Sequence, residues 1–359
     1  MWLRQLWLRD FRSYQHAEIS LVSGLTAVVG ENGEGKTNLL EAIGYLATLG
    51  SFRGAPTEAL VRVGATQATV RAEAEREGRQ LLIEAELVPS GRSRIQVNRQ
   101  RLPRSRDLLG ALRVSVFAPD DLELVKGGPS ERRRYLDDAV VAAQPKHDQL
   151  RTELERVLRQ RNALLRQSGG RLSPDVESTL EVWDTKLVEV SEALAAARIA
   201  LLSVLGPALA AAYDQVAHAR AEVTVTYRSS WLDQGMVAAL ATARRDELRR
   251  GVSLVGPHRD DLDLAIGGLP ARTHASQGEQ RSLALALRLA AHLVVTEAAG
   301  TSPVLLLDDV FSELDPGRSR ALLDSLPPGQ TLLTSAGGLP PGADPDAVLT
   351  VSNSQVRAG

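Results

Sequence analysis

The sequence contains no cysteine, which excludes disulfide bonds, cysteine-ligated zinc and thiol catalysis. Its net charge is only −2, so any surface for nucleic acid must be local. Long apolar runs are also missing, because the most apolar window, 283–295, contains Arg288 and His292 and is too short to span a bilayer. The first seven residues are too few and too charged for a signal peptide. We therefore expect a cytoplasmic protein of 359 residues, enough for one large core or two domains.

The most specific pattern present is a glycine-rich loop at residues 30–37, which matches the phosphate-binding loop G-x-x-x-x-G-K-T. A β-rich run at 25–29 precedes it and a helical pattern follows, which is the context that this loop needs. Its glycines allow backbone N–H groups to approach a phosphate chain. We expect Lys36 to reach the β- and γ-phosphates and Thr37 to hold Mg²⁺. The predicted nucleotide contacts here are Gly30, Glu31, Asn32, Gly33, Glu34, Gly35, Lys36, Thr37 and Asn38.

A second nucleotide-binding element is predicted at residues 276–280, Ser-Gln-Gly-Glu-Gln, which open a long apolar helix. Ser276 and Glu279 have the spacing of a capping box, so simple helix capping is one interpretation. The other is that a free helix N-terminus with a serine hydroxyl receives a γ-phosphate. On that interpretation Ser276, Gly278 and Glu279 contact nucleotide, and Ser276 joins Lys36 among the catalytic residues.

Two carboxylates follow a buried strand at residues 303–307. We expect Asp308 to bind Mg²⁺, directly or through water, and Asp309 to orient and deprotonate the attacking water. The tight loop that follows places Asp315 among the nucleotide contacts. Residues 331–335 are predicted to form the next strand, and 348–351 a last edge strand.

Residues 60–100 alternate between apolar and polar side chains, which predicts an antiparallel β region with one wet face. Arginines then accumulate, with 11 basic and 5 acidic residues between positions 92 and 134. This cluster is either a solvated face or a surface for phosphate backbones, without base stacking because aromatic residues are few. Its members are Arg92, Arg94, Arg99, Arg101, Arg104, Arg106, Arg132, Arg133 and Arg134. Arg12 is likewise either a surface arginine or a phosphate or ribose contact.

Residues 144–215 are predicted to form two antiparallel helices joined at Gly169-Gly170, an arm of roughly 40–50 Å. The second helix carries a heptad seam. Residues 256–261, Gly-Pro-His-Arg-Asp-Asp, favour a turn whose aspartates cap it or pair with arginines. A metal site that includes His258 is the less favoured alternative. The seam consists of Leu180, Trp183, Leu187, Val190, Leu194, Ala197, Leu201 and Val204.

The order of these motifs resembles the ABC-type ATPases, which carry Walker A, a signature serine, Walker B and an S-E-L-D loop. Within them it is similar to the DNA-associated branch that includes the SMC heads. The closest similarity is to the RecF family of bacterial recombination mediators, and it covers nearly the whole chain. The segments that carry it are Phe11–Tyr14, Glu31–Ala42, Phe117–Leu122, Lys126–Pro129, Arg132–Asp137 and Gly256–Asp261.

This resemblance implies an α/β fold, an ABC-type P-loop ATPase head with a mixed sheet and an antiparallel β subdomain, plus an inserted α-helical arm lobe. We assign 1–115 and 255–359 to the ATPase lobe and 116–254 to the arm lobe. The resemblance also implies ATP and Mg²⁺ as cofactors, binding to single-stranded, duplex and gapped DNA, and work with RecO and RecR in loading the RecA recombinase.

One chain has one Walker A motif and one signature serine, so we expect an ATP-dependent homodimer in which each copy completes the site of the other. Two departures from ABC transporters predict slow hydrolysis, which DNA would stimulate. Asp309 replaces their glutamate, and Thr334 and Ser335 stand where they carry a switch histidine. The sequence has no clear counterpart of their Gln loop, and we assign its position to the Pro119-Asp120 region.

Three other functions remain as alternatives. A transporter motor would need the Gln loop and the switch histidine. An SMC or cohesin-like head would need a coiled coil of hundreds of residues, whereas about 70 are present here. A small-molecule P-loop kinase would have no reason to carry the signature or the S-E-L-D loop.

Overall fold

The computed structural model describes residues 1–217 and 221–358. Its strands, numbered along the chain, are β1 (Trp2–Phe11), β2 (Tyr14–Ser20), β3 (Leu25–Val29), β4 (Ala68–Arg76), β5 (Arg79–Leu87), β6 (Arg94–Val97), β7 (Gln100–Arg101), β8 (Val114–Phe117), β9 (Val223–Arg228), β10 (Asp261–Ile266), β11 (Leu269–Pro270), β12 (Val304–Leu307), β13 (Thr331–Ser335), β14 (Ala347–Ser352) and β15 (Gln355–Ala358).

The α-helices are numbered in the same way. They are α1 (Lys36–Thr48), α2 (Thr57–Leu60), α3 (Glu123–Lys126), α4 (Pro129–Ala143), α5 (Asp148–Gln167), α6 (Pro174–Ala217), α7 (Met236–Arg250), α8 (Ala271–His274), α9 (Gln277–Ala299) and α10 (Pro316–Asp324).

The chain divides into two compact units. The first comprises Met1–Asp121, Ala211–Arg220 and Arg281–Gly359, and the second comprises Leu122–Ala210 and Ala221–Gln280. We expected the second boundary after residue 254. Residues 255–280 instead group with the second unit, because β10 pairs along its length with β9 and also with β11.

A six-stranded sheet in the first unit has the order β15-β14-β3-β13-β12-β8. All its pairings are parallel except that between β14 and β15. The carboxyl ends of β3, β12 and β13 therefore lie at one edge, where open α/β sheets bind ligands. The predicted strand at 348–351 forms as part of β14. We expected it to be the outermost strand of the sheet, which was wrong, because β15 pairs with β14 and is outermost instead.

The second sheet of this unit is antiparallel, with the order β2-β1-β4-β5-β6-β7, as the alternating pattern predicted. In β4 the residues Ala68, Val70, Ala72 and Ala74 are buried, whereas the residues between them are half-buried. One face of the sheet therefore contributes to the hydrophobic core of the unit.

The predicted pair of helices is present as α5 and α6. Leu154 and Val157 of α5 share a hydrophobic cluster with Leu187 and Val190 of α6. Because α5 has 20 residues, the paired length is about 30 Å, shorter than we expected. The seam was wrong at its end, since Val204 is 50% exposed.

Helices α6 and α9 have the length and mean hydropathy of membrane-spanning segments. The apolar window at 283–295 belongs to α9, which has 23 residues and is therefore longer than that window. In α9, 61% of the most apolar window is buried inside the structure, and in α6 39%. The core helices of soluble proteins can have the same length and hydropathy, so the two helices are weak evidence for a membrane span.

Candidate nucleotide-binding site

The glycine-rich loop connects β3 to α1, as predicted, and two of its glycines are required by close neighbours. A Cβ at Gly30 would lie 2.2 Å from the carbonyl oxygen of Val351. At Gly35, where φ is 113°, a Cβ would lie 3.1 Å from both the Ser13 and the Tyr14 hydroxyls. The loop backbone is thus packed too closely for side chains at these positions.

The ammonium group of Lys36 is buried at this loop. Its Nζ donates to the carbonyl oxygens of Gly30 and Glu31, each at 2.7 Å. A phosphate chain held by the loop N–H groups would offer anionic oxygens to the same donor. Lys36 thus lies at the glycine-rich loop, and its contact with the β- and γ-phosphates stays a prediction.

Two hydroxyls converge on the carboxylate of Asp308. Thr37 donates to its Oδ1 at 2.8 Å, and Thr334 donates to the same oxygen at 2.9 Å. The Thr334 hydroxyl in turn accepts a hydrogen bond from the Asp309 backbone N–H at 2.8 Å. Thr37 lies in the first turn of α1 and Asp308 directly follows β12. The hydrogen bond therefore joins residues that are 271 positions apart in the sequence.

Asp308 also has the chemistry of a cation ligand. Burial raises its pKa, and the hydroxyls of Thr37 and Thr334 oppose that rise. A buried carboxylate gains from a nearby cation, and a carboxylate with a threonine hydroxyl is a ligand set that Mg²⁺ accepts. These residues therefore fit Mg²⁺.

Asp309 begins the turn that follows β12. Its backbone is left-handed, with φ of 49°, a conformation that aspartate tolerates better than most residues. Its carbonyl oxygen accepts from the Ser312 hydroxyl at 2.8 Å, which holds the turn closed. The role of its carboxylate in orienting and deprotonating water stays a prediction.

The β1–β2 turn packs against the glycine-rich loop, which the sequence did not predict. Tyr14 donates through its hydroxyl to the Gly35 carbonyl oxygen at 3.0 Å, and burial raises the pKa of that tyrosine. Asn38 donates through Nδ2 to the Ser13 hydroxyl at 3.0 Å. The turn thus supports the start of α1.

Arg12 in the same turn forms an ion pair with Glu41. Its Nε and a terminal nitrogen each lie 2.7 Å from a Glu41 carboxylate oxygen, and its other terminal nitrogen donates to the Ala59 carbonyl oxygen at 2.9 Å. Glu41 is fully buried in α1. In the sequence, a single glutamate between the apolar residues Leu40 and Ala42 was the signal that could have predicted a buried partner for an arginine. A phosphate contact by Arg12 stays a prediction.

The Ser276 segment forms the predicted capping box within the second unit. Glu279 N–H donates to the Ser276 hydroxyl at 3.3 Å, and Ser276 N–H donates to the Glu279 carboxylate at 2.7 Å. This confirms the capping interpretation. Contacts of Ser276, Gly278 and Glu279 with nucleotide stay predictions.

Asp315 has a comparable capping role in the first unit. Its carboxylate accepts from the Arg318 N–H at 3.0 Å at the start of α10 and pairs with the Arg318 guanidinium. Both interactions lower the pKa of Asp315. Its predicted contact with nucleotide is untested by this geometry.

The predicted arginine cluster is not a single surface. Arg132 is buried and donates to both carboxylate oxygens of Asp261, at 2.8 and 3.0 Å. Arg133 donates to the Asp260 carbonyl oxygen at 2.9 Å. A DNA contact by Arg132 was therefore a wrong expectation, because the chain uses its guanidinium internally.

The two aspartates of segment 256–261 both accept hydrogen bonds from side chains of the protein. The Asp260 carboxylate accepts from the Tyr227 hydroxyl at 2.6 Å and from the Trp231 indole N–H at 3.1 Å. Among the described residues, no group of three or more histidine, aspartate or glutamate side chains is arranged to hold a metal ion. The interpretation as a partner of arginines is confirmed for Asp261, which pairs with Arg132 and Arg228, whereas the Asp260 carboxylate accepts from a tyrosine and a tryptophan instead.

A family model described as "RecF/RecN/SMC N terminal domain" matches residues 2–331. The DNA replication and repair protein RecF of Streptomyces avermitilis is 46% identical over 351 residues, which cover 94% of this chain and 93% of that protein. The corresponding protein of Frankia alni is 45% identical over 377 residues, covering 100% of this chain and 98% of that one. The chain belongs to the RecF family. This membership gives it a role in DNA replication and repair.

Solved structures agree with this assignment. One of the recombination mediator protein RecF in the RecFOR pathway, described as RecF-ATP, has a TM-score of 0.92 at 28% identity, covering 100% of this chain and 97% of that one. An Smc head domain derived from Pyrococcus furiosus has a TM-score of 0.57 at 17% identity, covering 100% and 96%. The second likeness concerns the fold alone. The predicted fold class, an ABC-type ATPase head, is confirmed.

Proposed function

We propose that this member of the RecF family is an ATP-dependent DNA-binding protein of recombinational repair and replication restart. Two copies would close on DNA at junctions of single strand and duplex when ATP binds, and slow hydrolysis would release them. The observation that carries the proposal is the convergence of Thr37, at the start of α1, and Thr334 on Asp308, because a carboxylate beside a threonine hydroxyl is a ligand set that Mg²⁺ accepts. A RecF relative described in complex with ATP supports the choice of nucleotide.

Each residue at the site has a separate task. The loop N–H groups and Lys36 would bind the phosphates, and Thr37 with Asp308 would hold Mg²⁺. The ion would neutralise charge on the β- and γ-phosphate oxygens. Asp309 would orient the attacking water and accept its proton. Asp309 is one methylene shorter than the glutamate of ABC transporters, and the Thr334 hydroxyl is already hydrogen-bonded to Asp308 and to the Asp309 N–H. Both features would make the positioning of water less effective. We therefore expect hydrolysis to be weak and stimulated by DNA.

The second half of the site would come from a second copy of the chain. Ser276, Gly278 and Glu279 form a helix N-terminus, and such ends bind anions. Ser276 would contact the γ-phosphate held by the facing copy, and the twofold symmetry would create two such sites. ATP would then favour the dimer by mass action, since it contacts both copies only in that state.

DNA binding would use the exposed arginines around β6 and β7, which we call the arginine hairpin. These side chains point to phosphate binding because they are exposed, clustered and accompanied by few acidic groups. The hairpin turn at Asn98-Arg99 is left-handed at both residues, which presents Arg99 at its tip. The members of the arginine hairpin are Arg92, Arg94, Arg99, Arg101, Arg104 and Arg106.

Partners and location follow from the family. Relatives described as mediators in the RecFOR pathway support RecO- and RecR-type proteins as partners, and we propose the RecA recombinase from the family resemblance alone. We propose that the protein acts in the cytoplasm, associated with the nucleoid.

Sedimentation velocity tests the proposal. The wild type should sediment as a monomer without nucleotide, as a dimer with a slowly hydrolysed ATP analogue, and as a dimer on a gapped duplex when both are present. A Lys36→Met control should stay monomeric under all conditions, because it lacks the cation that binds the phosphates. Dimers that form equally with the Lys36→Met variant would contradict the proposal.

A further inference from the structure

The phosphate-binding loop contains two acidic residues, Glu31 and Glu34, and Glu34 is next to the last glycine before Lys36. A carboxylate at this place repels a triphosphate, which is strongly anionic. A loop that binds ATP therefore has to keep the Glu34 carboxylate away from the phosphate chain or neutralise it.

The turn between β14 and β15 provides partners for this residue. The Asn353 N–H donates to the Glu34 carboxylate, and the Ser354 N–H donates to the Glu34 carbonyl oxygen at 3.2 Å. Both turn residues are left-handed, with φ of 49° and 56°. This conformation turns successive N–H groups toward the loop.

The hairpin formed by β14 and β15 also contacts the start of the phosphate-binding loop. Thr350 of β14 pairs with Val29, the residue that precedes the loop. The carbonyl oxygen of Val351 approaches Gly30 so closely that only a residue without Cβ fits. Both ends of the phosphate-binding loop thus contact the C-terminal hairpin, although no nucleotide-binding motif includes that segment.

We propose that the Asn353-Ser354 turn positions Glu34, holding its carboxylate out of the phosphate cradle so that the loop accepts a triphosphate. The inference rests on the proposed binding of ATP at this loop. Two effects act together, since the N–H bond fixes the direction of the side chain and also stabilises its negative charge. Nucleotide affinity then depends on a hairpin that the motif does not include.

Two substitutions at Glu34 separate charge from hydrogen bonding. Glu34→Asp keeps the charge but is one methylene too short to reach the Asn353 N–H. We expect it to weaken binding of a fluorescent ATP analogue with Mg²⁺ by about tenfold, the lower end of the effect of one hydrogen bond to a charged group. Glu34→Gln keeps an acceptor and loses the charge, so it should bind the analogue severalfold more tightly than the wild type.

A second pair of variants tests the turn itself. Asn353→Pro removes the N–H donor, whereas Asn353→Gly keeps it and tolerates positive φ. We expect the proline variant to lose nucleotide affinity and the glycine variant to retain it. Adding Glu34→Gln to Asn353→Pro should restore binding, because the freed carboxylate causes the loss. Thermal midpoints identify any variant that does not fold. If Asn353→Pro does not fold, the nucleotide affinities of the two Glu34 variants test the proposal without it.

The outcomes separate the two proposals. Wild-type affinity in Glu34→Asp, or no rescue of a folded Asn353→Pro by Glu34→Gln, would overturn the positioning role while ATP binding stands. A wild type that binds no ATP would overturn the proposed function and this inference together.

Discussion

Arg132 and Asp261 form a buried ion pair with two hydrogen bonds, at 2.8 and 3.0 Å, between α4 and the first residue of β10. A further terminal nitrogen of Arg132 donates to the Gly127 carbonyl oxygen at 2.9 Å. The pair also accounts for the low pKa of Asp261, which hydrogen bonds to Arg132 depress against the opposing effect of burial. Arg132 is therefore part of the interior of the second unit.

Removal of this arginine should destabilise the protein. Arg132→Ala leaves Asp261 buried with Arg228 as its remaining arginine, and breaking such a pair costs about 3–5 kcal/mol. Chemical denaturation followed by circular dichroism measures the change. Arg134→Ala is the control, because Arg134 is 47% exposed and lies 3.9 Å from Asp138. Equal stability of the two variants would show that the buried pair contributes little.

Ser276→Arg should separate nucleotide binding from dimerisation. A bulky cation at this helix start would block the facing copy but leave the glycine-rich loop of its own chain intact. Light scattering with the ATP analogue should therefore report a monomer that still binds nucleotide. Ser203→Arg, at an exposed serine of α6, is the control and should dimerise. Dimerisation of the Ser276 variant would rule out the arrangement in which Ser276 acts in trans.

Charge reversal in the arginine hairpin should weaken DNA binding. We expect the double variant Arg99→Glu, Arg101→Glu to reduce affinity for a gapped duplex and to lower the salt slope by about 0.9 for each DNA phosphate that the protein no longer neutralises. Fluorescence anisotropy over a range of salt concentrations measures both. The variant Arg249→Glu, Arg250→Glu makes the same charge change at the exposed end of α7. Equal slopes for the two double variants would place the DNA surface elsewhere.

His292 should make stability depend on pH. It is 1% exposed, its ring nitrogens lie 2.9 Å from the Ser115 hydroxyl and 3.2 Å from that of Ser302, and burial lowers its pKa to about 4. Below pH 6.5 the unfolded chain takes up a proton that the folded chain does not, so stability falls as pH decreases toward 4. The loss approaches about 3 kcal/mol at full protonation.

The measurement compares the free energy of unfolding of the wild type and of His292→Gln between pH 7 and pH 4.5. The glutamine variant keeps a hydrogen-bonding side chain but does not titrate, so its stability should change less across this interval. If both proteins lose stability equally, the buried histidine is not the group responsible.

Much of the nucleotide site was predictable because its signals are local. The glycine-rich loop and the two carboxylates after β12 are short motifs with fixed neighbours, and parallel strands bring their ends to one edge. The Ser276 capping box was equally readable. Its proposed role toward a second molecule stays a prediction, since no pattern within one chain specifies what faces a surface.

Long-range pairings were not predictable. Arg132 and Asp261 lie 129 positions apart, and Glu34 lies 319 positions from Asn353. A single sequence gives charge and spacing but not which arginine is buried. The error at Val204 has a related cause, because Leu205 and Leu209 are buried in its place and Arg198 occupies the seam at 1% exposure, paired with Asp137.

The place of β3 in its sheet has a consequence for synthesis on the ribosome. This strand, which leads into the phosphate-binding loop, has β13 and β14 as its two neighbours. Both are translated roughly 300 residues after β3, so a nascent chain carries the complete loop sequence long before the strands that flank β3 exist. We therefore expect the proposed nucleotide site to form only after residues 331–352 have left the ribosome.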